Sequence, residues 1–417
     1  MQLMIKPTIS CWKERLENKL FPIQWSSLES QDKQLVESRR YPRLKPKVFF
    51  CCFLGILVCI LGWFYFSRTP ENPEYQVQKS WFTSEEVQQF RKSYPPLEYS
   101  LETRSLTYML HGCVSGFGSF VNNAFNLFLI ALDNKMSFHL QSLDWCYISW
   151  STFFEDWTSN SATPINLDRY NVTAQRWHPA EGTFAAINST SFKGHLFVEH
   201  WGENFNEFYY HQVEKIEGPV FERKQLVAQA LWEPKPLITD LTKGVRRHYV
   251  EEANKVMISM HIRRGDKLAN EMQDLSVSLY SDKVIDLSTN KYPGRNIALF
   301  VFSDDDKSVT ELRGLLADYF NIEIFLLSDA ISHTPSLAKN WKPLTQRQGY
   351  DQGDFSRANE EYRFRQTAEL ITDITLAATA DEFICTYSSN IGRLVTLLRT
   401  KPLTTVHSLD IEEWRNN

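Results

Sequence analysis

Residues 261–271 read His-Ile-Arg-Arg-Gly-Asp-Lys-Leu-Ala-Asn-Glu and follow the apolar run Val256-Met-Ile-Ser-Met260. The run has the pattern of a short buried parallel strand. His261, Arg263, Arg264, Asp266, Lys267 and Glu271 therefore leave the carboxyl end of a core strand together. Ligands of open α/β sheets bind at that end. Paired arginines suit a phosphate or pyrophosphate, because each planar guanidinium forks onto two oxygens. The same segment offers a candidate base in Glu271. Two plainer readings stand beside this one: a loop of solvated charges, or a chance Arg-Gly-Asp tripeptide.

Other segments could share the site. The run Ile297–Phe302 ends in Ser303-Asp304-Asp305-Asp306. Such a cluster could hold a divalent metal with a nucleotide diphosphate. It could instead bond substrate, cap the following helix and set the arginine pair. The run Glu382–Thr386 leads into Tyr387-Ser388-Ser389-Asn390-Ile-Gly392-Arg393, a strand–turn–helix junction whose helix N-terminus can take phosphate oxygens. Gly112-Cys-Val-Ser-Gly116-Phe117-Gly118 is a small-residue turn opening a second such helix, although Gly-x-Gly turns commonly only turn. Asp373 lies in an otherwise apolar helix, where an isolated carboxylate requires a partner or a ligand. No phosphate-loop, zinc-protease, serine-hydrolase or dinucleotide motif occurs, so those classes lose their usual support.

The elements that must position these residues alternate. Val256–Ile262, Ile297–Phe302, Ile322–Leu327, Glu382–Thr386 and Leu403–Val406 read as strands. Helices are expected over Ser308–Tyr319, Arg357–Thr379 and Asn390–Arg399. That alternation predicts a doubly wound parallel sheet. Before it, Val121–Leu132 reads as an apolar helix and Lys135–Gln141 as a strand. Residues 142–205 read as irregular aromatic-rich loops, and Phe221–Glu252 as helix interrupted at Pro234 and Pro236. The expected division is a 105–254 acceptor-side lobe and a 255–417 nucleotide-sugar lobe.

The N-terminal part is of another kind. Val48 to Phe66 carries no charge, and nineteen residues at about 1.5 Å each span a bilayer core. Arg39, Arg40, Arg43, Lys45 and Lys47 precede it, so the positive-inside rule places residues 1–47 in the cytosol and the remainder in the lumen. Residues 67–104 read as a stem with one helical stretch, Ser84–Lys92. The sequons at Asn171 and Asn188 suit lumenal glycosylation. Residues 1–47 hold ten basic and five acidic residues. The whole chain carries −5, which leaves −10 for the rest and argues against nucleic acid as a partner. Of seven cysteines only Cys113, Cys146 and Cys385 follow the span. A Cys113–Cys146 bridge with Cys385 buried and free is compatible with that, and no Cys/His metal spacing exists.

The ordered set of motifs resembles the α1,6-fucosyltransferase family, which includes the core fucosyltransferase of N-glycans and the nodulation chitooligosaccharide fucosyltransferase. His261-Ile-Arg-Arg-Gly-Asp-Lys267 resembles its His-Val-Arg-Arg-x-Asp-Lys, with Glu271 and Tyr280 at the expected distances. Ser303-Asp304-Asp305 resembles Thr-Asp-Asp. Asp373-Ile to Cys385-Thr-Tyr-Ser-Ser-Asn390 resembles Asp-Ile…Cys-Thr-Phe-Ser-Ser-Gln, and Gly116-Phe117-Gly118 resembles Gly-Tyr-Gly. The resemblance covers about residues 105–400. It implies a two-lobed GT-B-like fold preceded by one transmembrane helix, GDP-β-L-fucose as donor, and inversion at fucose with no metal or other cofactor. It implies that His261, Arg263, Arg264, Phe117, Gly118, Tyr280, Asp304, Asp305, Asp373, Ser388, Ser389 and Asn390 form the donor site. Arg263 would lie on the β-phosphate, with Glu271 the base and Lys267 and Asp266 beside it. The acceptor would be a glycan or glycoprotein, α1,6 to GlcNAc in this family, and the location a Golgi membrane, with a homodimer left open. Asn390 and Phe117 depart from the family's Gln and Tyr, and residues 142–255 match little of it, so the donor is implied more firmly than the acceptor. Another nucleotide-sugar transferase, such as a protein O-fucosyltransferase, and an inactive lumenal glycan-binding protein are the alternatives.

Overall fold

Strands that are apolar along their whole length have to be covered on both faces, and this governs the computed structural model. It describes residues 82–93, 104–113, 115–155, 194–199, 220–264, 275–344 and 351–410. The chain divides into two compact units, Met1–Gln78 and Lys79–Asn417; the first, with the expected span at 48–66, lies outside the described residues. No helix among the described residues is long and apolar enough to cross a membrane.

The second unit opens with α1 (Ser84–Ser93), whose first turn carries Glu85 and Glu86 and whose last carries Arg91 and Lys92, complementing the helix dipole. Strand β1 (Arg104–His111) follows, then α2 (Phe117–Asp133), β2 (Ser137–Leu143), the short α3 (Trp150–Phe153) and β3 (Gly194–Glu199). These three strands form a parallel sheet in the order β2-β1-β3. Helix α2 is buried on nearly every side, because it lies against this sheet and also meets two later helices. The expected irregular region 142–205 thus contains a strand, β3, and the expected stem boundary at 104 is where β1 begins.

Helices α4 (Val220–Leu231) and α5 (Pro236–Arg246) come next; the break falls where Pro234 and Pro236 predict it, with Pro236 on the first turn of α5. A five-residue π-helical turn, Arg247–Glu251, leads to β4 (Val256–Ile262). The order then runs α6 (Val277–Asp286), β5 (Ile297–Ser303), α7 (Asp306–Leu315), β6 (Ile322–Phe325), α8 (Leu327–His333), α9 (Pro335–Ala338), α10 (Gln352–Arg357), α11 (Glu360–Ala378), β7 (Glu382–Cys385), α12 (Asn390–Leu398) and β8 (Val406–Ser408). The five strands form a second parallel sheet, β6-β5-β4-β7-β8. The expected strand at Leu403–Val406 is instead a 3-10 turn over Leu403–Thr405, with pairing from Val406 onward.

One face of this sheet, including Met257, Ala298, Phe300 and Phe383, joins a large core shared with α2, α11 and α12. The other, with Ile258, Met260, Leu299, Val301 and Ile384, packs against α6 and α7. Both faces are therefore dry, as the unbroken apolar strands require. The chain leaves β4 outward through β5 to β6, then returns on the opposite side of β4 to β7 and β8. A topological switch point thus lies between β4 and β7. Cys113 and Cys146 form a disulfide with a Cα–Cα distance of 5.3 Å, and Cys385 is free and buried.

Candidate functional site

Three segments leave the carboxyl ends of β4, β5 and β7 around that switch point. On β4, His261 is buried and stacks on Phe302 with ring centroids 4.7 Å apart. Burial, and secondarily the Arg263 charge, pull its imidazole down to about 3, so the ring is neutral at any physiological pH. Its Nδ1 is buried with no hydrogen-bond partner among the described residues.

Arg263 and Arg264 follow, and one carboxylate from the neighbouring strand end serves both. Asp304 pairs with the Arg263 guanidinium, and its Oδ1 accepts the Arg264 backbone N–H at 2.7 Å. Arg264 in turn donates to the carbonyl of Leu275 at 2.5 Å. Arg264 and Leu275 are thereby tied to each other and, through Asp304, to the end of β5. Asp266, Lys267 and Glu271 belong to that segment and lie outside the described residues, as do Asn171 and Asn188. Asp305 takes a different role: it caps α7, accepting from Ser308 N at 3.1 Å, Lys307 N at 3.3 Å and Ser308 Oγ at 2.6 Å. Burial raises its carboxyl, but those donors outweigh it and hold the group below the usual carboxylate range. Asp304 thus sets the arginine pair and Asp305 caps the following helix. Among the described residues no group of three or more His, Cys, Asp or Glu could hold a metal ion.

At the end of β7 the chain turns sharply into α12. Ser389 is its N-cap, with Oγ accepting from Ile391 N at 3.3 Å. The turn is tight enough that a Cβ at Gly392 would overlap the Thr386 carbonyl oxygen. Arg393 reaches back to the Tyr387 carbonyl at 2.5 Å. The carboxylate of Asp410, beyond β8, accepts the N–H groups of Tyr387 at 2.7 Å and Ser388 at 3.0 Å. Asp410 was not among the residues that sequence pattern singled out, and Gly392 and Arg393 were read only as part of the junction, with no role of their own. The signal available was an acidic residue just after the terminal strand, at the same end of the sheet as the arginines.

The first sheet meets this junction through α2. A Cβ on Gly118 would stand 3.0 Å from the Asn390 carbonyl carbon, and Asn122 Nδ2 donates to the Asn390 carbonyl oxygen at 2.9 Å. Glycine at 118 thus allows the N-termini of α2 and α12 to approach. Phe117 takes no such position: its ring is buried against Trp145, Tyr147 and Trp232, and its N–H goes to Tyr147 Oη at 3.0 Å. Tyr280, buried on α6, has its hydroxyl pushed well up by burial, Cys385 and Asp410, with Arg264 opposing. It lies in the core cluster that contains Ile262 of β4 and Ile384 of β7. Asp373 is buried on α11, which packs against α12. The structure thus brings Arg263, Arg264, Asp304 and Tyr280 together, and Gly118 with Asn390.

No family model matches the chain, and no curated protein does. Solved structures that it resembles are fucosyltransferases. Arabidopsis thaliana FUT1 in complex with GDP has 11 % identity and a TM-score of 0.43, over 75 % of this chain and 72 % of that one. NodZ from Bradyrhizobium has 11 % identity and a TM-score of 0.43, over 71 % and 93 %. POFUT1 in complex with GDP has 10 % identity and a TM-score of 0.39, over 75 % and 100 %. At these scores the likeness carries no weight for any residue or activity.

Proposed function

We propose that the chain is a glycosyltransferase that moves L-fucose from GDP-β-L-fucose to a glycan acceptor, inverting and without metal. The observation that supports this best is the arginine pair at the switch point. Arg263 and Arg264 leave the central strand β4, set by Asp304, on the side where α12 begins across from them. Such a crevice is where open parallel sheets take nucleotide ligands, and a helix N-terminus adds a positive end. A leaving GDP gains negative charge as the glycosidic bond breaks, and Arg263 would stabilise that charge as it develops. Asp304 holds one edge of the guanidinium and so limits its freedom before a phosphate arrives. Charge relief at the leaving group would come from arginine, which is why divalent metal is not expected to be needed.

In this reading Glu271 removes the proton of the attacking acceptor hydroxyl, with Lys267 and Asp266 positioning it. The neutral His261, Tyr280, Asp373, Ser388, Ser389 and Asn390 complete the donor pocket, with Phe117 contributing through the position of Gly118. Residues 48–66 would anchor the enzyme as a single-pass type II protein in the Golgi membrane, with the site in the lumen. The acceptor hydroxyl would be the 6-position of GlcNAc.

The direct test is fucosyl transfer by the full chain from GDP-fucose to GlcNAc-terminated oligosaccharides in EDTA. Transfer that persists supports the reading, and a strict Mn²⁺ requirement contradicts it. Glu271→Gln should keep GDP binding while transfer falls by a factor of about 10² to 10⁴, the usual worth of a general base. An active Glu271→Gln would remove Glu271 from that role.

A further inference from the structure

We infer that Asp410 is a positioning residue of the nucleotide site, holding the turn between β7 and α12 in its ligand-ready shape. This rests on the nucleotide reading above. Two consecutive N–H groups at a strand end normally point outward to solvent or ligand. Here those of Tyr387 and Ser388 both donate to one side chain, Oδ1 and Oδ2 of Asp410, at 2.7 and 3.0 Å, and Tyr387 N–H also reaches Ser408 Oγ at 3.2 Å. A carboxylate can do this with a charge-assisted bond to each. Ser408 Oγ donates to Oδ1 at 2.8 Å and so aims the carboxylate from the last strand.

The same turn is gripped from its other side. Arg393 Nε donates to the Tyr387 carbonyl at 2.5 Å, and Gly392 packs directly on Thr386. Tyr387 is thus held through both its N–H and its C=O, and the path into Ser389 and Asn390 follows from that. A carboxylate close to a diphosphate would repel it if its charge were open. Spent on two N–H groups, it instead keeps anions off the first two N–H groups of the turn. A phosphate is left with the arginine pair and the N-terminus of α12. Asp410 touches no reacting atom in this scheme.

The test uses the full chain and GDP. Asp410→Ala should raise the Kd for GDP by about tenfold or more, since it frees two charge-assisted bonds. The donor KM should rise in step, with kcat changed less than about threefold, because the turn acts on binding. Asp410→Asn, which keeps one acceptor oxygen, should fall between, and it serves as the readout if the alanine variant does not fold. Combined with Ser389→Ala the effect should be less than the sum of the two, since both act on one turn. Equal GDP affinity for wild type and both Asp410 variants overturns the inference while leaving the nucleotide reading intact. Tighter GDP binding by Asp410→Ala also overturns it, since Asp410 would then compete for N–H groups that phosphate prefers. A wild-type chain that binds no guanine nucleotide overturns the nucleotide reading, and this inference with it.

Discussion

The two ends of the five-stranded sheet use the same residue types for opposite purposes. At the amino end, Glu382 is fully buried and receives Tyr292 Oη at 2.6 Å, Lys291 Nζ at 2.6 Å and His407 Nε2 at 2.8 Å. Arg399, also fully buried, donates to Ala377 O at 3.3 Å, Asp381 O at 3.1 Å and Thr405 Oγ1 at 2.7 Å. Charge there meets charge or carbonyl inside the protein, although Arg399 Nε is itself buried without a hydrogen-bond partner among the described residues. At the carboxyl end the carboxylates are spent mainly on backbone: Asp304 on Arg264 N, Asp305 on Lys307 N and Ser308 N, Asp410 on Tyr387 N and Ser388 N. The backbone is fixed, while His261 keeps a buried Nδ1 without a partner among the described residues. Breaking the first set would leave buried donors unmet, whereas the second orders backbone around the arginine pair of the proposed site.

This contrast can be broken from either side. The largest effect on folding is expected at the amino end. Glu382→Ala leaves three donors facing a buried gap and should cost about 3–5 kcal/mol in a denaturant melt, with GDP affinity of the folded protein unchanged. The pH dependence has a definite sign. Burial raises the Glu382 carboxyl, but His407, Lys291 and Tyr292 outweigh it and hold it below its ordinary value. A depressed carboxylate contributes stability that is complete above about pH 4.3 and is lost as pH falls through the folded value. The wild type should therefore lose more stability below pH 4 than the variant does.

At the carboxyl end the sensitivities reverse. Arg263→Ala should lower kcat/KM by a factor of about 10² to 10³ while the melting temperature barely moves, because Asp304 still holds Arg264 N. Loss of fold instead of turnover would make Arg263 a structural residue. Gly392→Ala should cost about 1–3 kcal/mol of stability and weaken GDP binding as well, since the new Cβ must push the β7 turn away. The smallest effect belongs to Asp354→Ala. Its pair with Arg357 lies 2.6 Å apart with both side chains more than 70 % exposed, and removal should change neither property by more than about 0.5 kcal/mol.

The second sheet was largely legible in the sequence. Its strands are continuous apolar runs, and the alternation with helices admits little but a parallel sheet; β4 begins and ends where its residues predict. The first sheet was less so. β1 begins Arg104-Ser105 and carries Thr107, so its apolar run, Tyr108–Leu110, is too short to mark a buried strand. β3 is six residues in an aromatic, aperiodic stretch, and only its pairing with β1 identifies it. In the site, residues that lie close in sequence could be read as a group: the arginine pair, the aspartates and the Ser-Ser-Asn junction. The Asp410 clamp could not, because it acts across 22 residues by way of β8 and no local period records such a contact. The Phe117 ring was assigned to the donor site from its motif, and the structure shows it buried in an aromatic cluster that the Cys113–Cys146 disulfide flanks.

In the proposed function the crevice between β4 and β7 holds a guanine nucleoside diphosphate. The melting temperature of the full chain in EDTA, alone and with GDP, GDP-fucose or UDP, tests it most directly, because a ligand of the native state raises that temperature. The account predicts a rise with GDP and GDP-fucose, little with UDP, and none in Arg263→Ala. No shift with either guanine nucleotide would contradict it.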